Sequence, residues 1–353
     1  MKKTLKLLTL LLLSSNFCFA QVTFQTIDSI VKSSYQNNPD VGISVGYIDK
    51  NNEEFYSAYG KLSRQSQTGI DKNSIFEIAS ITKILTSNLI AQAAGENKIK
   101  LDHYIDDYLP KGYVLHNGLK NKIRISDLAS HQSGLPDIDF AKLIELNPQQ
   151  PVSGVTNETL TTIVNSCTEL KDYGKYRYST IGYTMLGQIL EKVYGKSYDL
   201  ILEEKILKPL KMTNTLTKDF KVKNRTTAYN PDGGVQEFFN WNITAPSGLV
   251  KSSAADMIKF LKAVLDPKAA VSKAAKVTEK VYYKDEKRDL GLGTNIDSDD
   301  QKVIYSKSGD SMGQSSIIFY NRAKSWGIII LLNQRNSKLR QNLYTVINDA
   351  MAK

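Results

Sequence analysis

Strand-forming runs stand at both ends of this chain, with a long helical stretch between them. Val41-Gly-Ile-Ser-Val-Gly-Tyr-Ile48 reads as a strand, Asp49-Lys50-Asn51-Asn52 is turn chemistry, and Glu53 to Tyr59 reads as a second strand. Far along the chain, Ser315 to Tyr320 and Trp326 to Leu332 form two more β-rich runs joined by Asn321-Arg-Ala-Lys-Ser325. The sheet must therefore assemble from distant segments. The layout this predicts is α+β: an antiparallel sheet flanked by helices, with an all-α region inserted over about residues 85–250.

Helices are expected at four places. One runs from about Ser80 to Ala94 and stops at Gly95. Another starts near Ile181, carries Met185, Leu186, Ile189, Leu190 and Val193 as its apolar stripe, and stops at Gly195. A third covers about Ser253 to Leu265, before Pro267, and a last one about Lys338 to Met351.

The first twenty residues read as a secretory signal peptide. Lys2, Lys3 and Lys6 give a positive start, Leu7 to Phe19 is mostly apolar, and Cys18-Phe19-Ala20 offers small residues at the cleavage-determining positions. The run is too short for a comfortable membrane span. Ser15-Asn16-Phe17 fits poorly as the approach to a lipid-carrying Cys18. Cleavage after Ala20 leaves one domain, residues 21–353, in a secreted or periplasmic protein with no transmembrane anchor.

That cleavage also leaves Cys167 as the single cysteine, read as a small buried hydrophobe, so no disulfide is expected within the mature chain. His103, His116 and His131 are too few and too scattered for a histidine zinc site, and no H-E-x-x-H occurs. No metal or cofactor is expected. The leader carries three Lys and no acid, so its loss lowers the net charge from +10 to +7. The basic residues are spread along the chain without interleaved aromatics, which argues against nucleic acid as a partner.

Three short motifs carry chemistry. In Ser80-Ile-Thr-Lys83, a helix starting at Ser80 puts Lys83 one turn on, on the same face. A serine hydroxyl needs a base, and an amine serves once burial or neighbouring cations lower its pKa. The pattern is common by chance, and Ser29-Ile-Val-Lys32 is such a case. The apolar approach Ile75-Phe-Glu-Ile-Ala79 and the apolar helix beyond favour Ser80. Tyr178-Ser179-Thr180 lies in an aromatic-rich stretch before a helix, and by itself also reads as a loop with a capping residue. Lys307-Ser308-Gly309 reads either as a solvated turn or as a lysine presented to a substrate carboxylate, with glycine allowing close backbone approach.

In this order the three motifs are far more specific. The chain resembles the serine β-lactamase and DD-peptidase superfamily, in its class C β-lactamase-like branch, through the S-x-x-K, Y-x-N and K-T-G elements. Ile125-Ser-Asp-Leu-Ala-Ser-His-Gln-Ser-Gly-Leu-Pro136, Lys208-Pro-Leu-Lys-Met-Thr213 and Ser247 to Met257 are similar to that branch as well. The resemblance implies that Ser80 is the acylated nucleophile and that Lys83 accepts its proton or tunes its field. It implies that Tyr178 shuttles a proton to the leaving group. Lys307, Ser308 and Gly309, with Thr180, would bind substrate, and the backbone N–H groups of Ser80 and Asp310 would form the oxyanion hole.

The sequence departs from that pattern twice. Thr180 stands where the family has an Asn that offers an amide to substrate and to the lysine. Asp310 puts an acid beside the expected oxyanion hole; facing the cleft it would oppose anionic substrates, and facing away it would be neutral. Gly309-Asp-Ser311-Met-Gly313 also matches G-x-S-x-G, but no histidine follows it and a strand, not a helix, comes next. The expected activity is hydrolysis of a D-amino-acid peptide bond, or a related amide or ester, in a peptidoglycan-derived or small-molecule substrate by a monomer. A β-lactamase and a carboxylesterase on the same fold are the alternatives, and an inactive binding or sensor domain is the non-enzyme one.

Overall fold

The computed structural model describes residues 24–299 and 302–352; the expected leader, residues 1–20, lies outside the described residues. The strands of the main sheet are β1 (Ile43–Ile48), β2 (Glu54–Tyr59), β3 (Tyr283–Asp285), β4 (Arg288–Leu290), β5 (Asn295–Ser298), β6 (Val303–Asp310), β7 (Ser315–Asn321) and β8 (Trp326–Leu332). They form one antiparallel sheet in the order β2-β1-β8-β7-β6-β5-β4-β3. Strands from the two ends of the chain pair side by side, Ile43 with Leu332 and Ile48 with Gly327.

Both faces of the central strands are covered, so β1, β7 and β8 are buried along their whole length. The pleat sends alternate side chains to opposite layers. Val45, Phe319, Ile328 and Ile330 meet Ile27 and Val31 of α1 (24–36) and Leu339, Leu343 and Ile347 of the last helix. Ile318, Ile329 and Leu331 turn the other way, into a larger core shared with the helical region.

Among the further helices are α2 (Thr82–Gly95), α3 (Thr180–Tyr194), α4 (Ala254–Leu265) and α5 (Ser337–Ala352). Helix α2 is buried on nearly every side, in keeping with its lack of a polar face. Its Leu85, Leu89 and Ile90 each contribute about 1.5–3 kcal/mol by leaving water. Gly195 closes α3 with a left-handed φ of +65°, the conformation that makes glycine a stop signal.

The structure corrects the sequence reading in three places. Helix α2 begins at Thr82, and Ser80 sits in a tight 3-10 turn, Ala79–Ile81, just before it. Ala79 has a φ of +46°, so the α-helix cannot extend back through it. Lys307-Ser308-Gly309 is not a solvated turn but lies inside β6, which ends at Asp310. Strands β3 to β6 were not expected. Their polar, turn-like residues hide strands that are held by pairing with neighbours.

Candidate active site

The 3-10 turn before α2 and the loop before α3 bring Ser80 and Tyr178 together. Ser80 Oγ and Tyr178 OH are 2.6 Å apart, although 98 positions separate the residues. Lys83, one turn along from Ser80, is 1% exposed. Its Nζ donates to the Ser247 carbonyl at 2.7 Å and to Ser80 Oγ at 3.4 Å. The ammonium also lies 4.8 Å from the Tyr178 ring centroid and 5.3 Å from that of Tyr183. Burial pulls the Lys83 amine down to about 7, and the negative charge of Asp137 partly opposes that fall. A substantial share of Lys83 is therefore neutral near pH 7 and able to take a proton.

Lys307 approaches from the sheet. It is buried, and its Nζ is 5.2 Å from the Tyr178 ring centroid. Burial lowers its pKa; Tyr178 opposes that shift, and the nearby Lys83 charge adds to it. Among the described residues, β5 pairs with β6 from Val303 to Ser306, which leaves that edge of Lys307–Asp310 without a strand partner. Gly309 packs so close to the turn carrying Ser80 that a Cβ there would stand 2.2 Å from the Ile78 carbonyl oxygen and 3.0 Å from Ser80 N. Only glycine lets β6 and the Ser80 turn approach this closely.

The pleat decides the orientation of Asp310. Residues 307 and 309 share one face of β6, and 308 and 310 share the other. Asp310 accordingly points away from Ser80, toward α5, where it accepts hydrogen bonds from Ser315 and Ser337 and pairs with Arg340. Its charge is spent in that ion pair. Thr180 is the first residue of α3 and is buried, and its N–H donates to Asp137 Oδ2 at 2.7 Å.

Four groups that belong to this site were not among the expected residues: His131, Asp137, Tyr183 and Ser247. His131 is buried, takes a φ of +62°, and accepts from the Ser179 N–H at 3.1 Å through Nδ1. Its ring packs 4.6 Å from that of Tyr178. Burial, helped by the Lys307 and Lys83 charges, holds its pKa well below the ordinary histidine value, so it is a neutral prop. Tyr183 OH donates to the Ala129 carbonyl and bonds Ser87, which closes the floor beneath Lys83. The signal for His131 was the His-x-x-Gly-Leu-Pro run, where His131 and Gly134 both have positive φ.

The competing serine has another task. Ser311 is buried in the turn between β6 and β7, and its Oγ accepts from the N–H groups of Gly313 and Gln314 at 3.3 and 3.0 Å. It is a turn residue between two strands, the setting that a nucleophile elbow lacks.

A sequence model of the Beta-lactamase family matches residues 28–352. The chain belongs to the Beta-lactamase family. This member is 26% identical over 338 residues to Protein flp of Staphylococcus aureus (strain MW2), covering 92% of this chain and 66% of that protein. The chain thus spans just under two thirds of that relative's length. Its fold is similar to that of a class C beta-lactamase, with a TM-score of 0.81, 20% identity, and 94% of this chain and 96% of that chain covered. It is also similar to the octameric penicillin-binding protein homologue from Pyrococcus abyssi, with a TM-score of 0.78, 23% identity, and 91% and 76% covered. That homologue is an octamer, so the monomer expected from the sequence gains no support from it. Among the described residues, no helix is long and apolar enough to cross a membrane.

Proposed function

We propose that this family member is an exported serine hydrolase that acts through an acyl-enzyme on Ser80. Its substrate class is a D-amino-acid peptide bond of the peptidoglycan type, or a related amide or ester. The observation that carries this reading is the contact of Ser80 Oγ with Tyr178 OH at 2.6 Å, beside a buried Lys83 whose amine titrates at about 7. In this reading Ser80 Oγ attacks the substrate carbonyl, and its proton passes to the Lys83–Tyr178 pair. The new oxyanion lies between the N–H groups of Ser80 and Asp310, which the close packing at Gly309 supports. Tyr178 delivers the proton to the leaving amine or alkoxide, and water then cleaves the ester on Ser80. Lys307 holds a substrate carboxylate at the open edge of β6. Export rests on the leader sequence alone.

The test is the intact mass of the protein followed over time with a penicillin. An adduct of one acyl group is expected, and its lifetime sorts a peptidase, which stays trapped, from a β-lactamase, which turns over. Absence of both an adduct and any hydrolysis of the penicillin or an activated ester would overturn the reading. Thr180→Asn probes substrate choice. An added amide contact to a β-lactam carries about 1 kcal/mol, so turnover of a chromogenic cephalosporin is expected to rise roughly fivefold. Unchanged turnover would place recognition elsewhere in the cleft.

A further inference from the structure

Tyr178 is held in place by its backbone neighbours, and the four long-range holds come from a single loop, residues 131–137. The Arg177 N–H donates to the His131 carbonyl at 2.7 Å and the Ser179 N–H to His131 Nδ1 at 3.1 Å. The Thr180 and Ile181 N–H groups donate to the two carboxylate oxygens of Asp137 at 2.7 and 2.9 Å. Ser179 Oγ takes the next N–H, that of Gly182, at 2.9 Å. The first three N–H groups of α3 are thus all satisfied by side chains, two of them by Asp137.

We propose that Asp137 is a positioning residue of this site: its carboxylate fastens the Tyr178–Thr180 turn to the start of α3 and sets a negative charge against the Lys83 cation. The proposal rests on the Ser80 reading above. A neutral serine or threonine would satisfy one of these donors. A carboxylate satisfies both and adds a full charge at a helix N-terminus, where anions are favoured. The groups that face Lys83 are Tyr178 and Tyr183 from α3 and its preceding loop, the Ser247 carbonyl, His131 held neutral, and the Lys307 ammonium from β6. Asp137 supplies the negative charge that acts on Lys83 and opposes its loss of a proton. Thr180 lacks the amide that the family pattern offers to this lysine. Asp137 binds the Thr180 N–H from the neighbouring loop.

Asp137→Asn keeps the shape and removes the charge, whereas Asp137→Glu keeps the charge and changes the reach. Two readouts are followed from about pH 5 to about pH 9: the rate of acylation of Ser80 by an activated ester, and the NMR titration of the Lys83 side chain, which needs no activity. Removing a negative charge lowers the pKa of every group near it. Asp137→Asn is therefore expected to move the Lys83 titration, and the acidic limb of the rate profile, down by roughly one pH unit. The maximal rate is expected to fall about tenfold as Tyr178 loses one of its anchors. Asp137→Glu is expected to keep the limb of the native protein. An unmoved titration, with the rate lowered equally at every pH, would reduce Asp137 to a helix cap and overturn the proposal. A shifted titration in a protein that never acylates would leave Asp137 in place and sink the Ser80 reading instead. Should Asp137→Asn melt below the assay temperature, Asp137→Ser keeps one acceptor and answers the same question.

Discussion

Ser80→Ala is expected to abolish the covalent adduct with a penicillin or a fluorophosphonate and to lower hydrolysis of any substrate by more than about 10⁴-fold. The change removes the oxygen that approaches Tyr178 OH at 2.6 Å. Its cost to the fold is small. Ser80 is half-buried and lies in a turn whose shape is set by its backbone, through the Ile81 N–H to Ile78 carbonyl bond and the packing of Gly309. The melting temperature should hardly move, so loss of labelling cannot be blamed on unfolding. Intact-mass measurement of native and variant protein side by side decides the matter. Full labelling of a folded Ser80→Ala protein would place the nucleophile elsewhere and reopen the case for Ser311, despite its engagement by the turn N–H groups.

Replacement of Lys83 is expected to have the next largest effect. Lys83→Met keeps most of the buried volume and removes the amine, so acylation should slow by about 10²–10⁴-fold with the fold retained. The pH profile carries the sharper signature. Burial lowers the Lys83 pKa from 10.5 to about 7. Below that value the amine is protonated and cannot take the Ser80 proton; above it the amine is free. Acylation by the native protein should therefore rise with pH through about 7. In Lys83→Met that limb should disappear along with the rate. An unchanged rate and an unchanged limb would remove Lys83 from proton transfer and leave Tyr178 to act alone.

Much of the architecture was legible from local patterns. The apolar runs at 41–48, 315–320 and 326–332 became β1, β7 and β8, and Gly195 ended α3 as its left-handed conformation requires. Other parts were hidden. Strand β6 ends in Lys-Ser-Gly-Asp, which by composition is a turn, and becomes a strand only because β7 pairs with it along Tyr305–Asp310. Helix α2 starts later than its apolar pattern suggests, because Ala79 takes a positive φ at the bend.

The site shows the same division. Ser80, Lys83, Tyr178 and Lys307 stood out by type and order, and the fold gathers all four. The orientation of Asp310 followed from the pleat once Lys307 was known to face the cleft, an inference that needs the strand first. Asp137 carried no motif of its own. It matters because its loop lies against the start of α3, 43 positions away in sequence. Which side chains could do chemistry, and which runs could be strands or helices, depends on residue type and short-range spacing, and both can be read along the chain. The distances between those side chains, their burial and the charge on Lys83 arise in the folded protein. Those depend on solvent exclusion and on contacts between segments far apart in the chain, which no local pattern encodes.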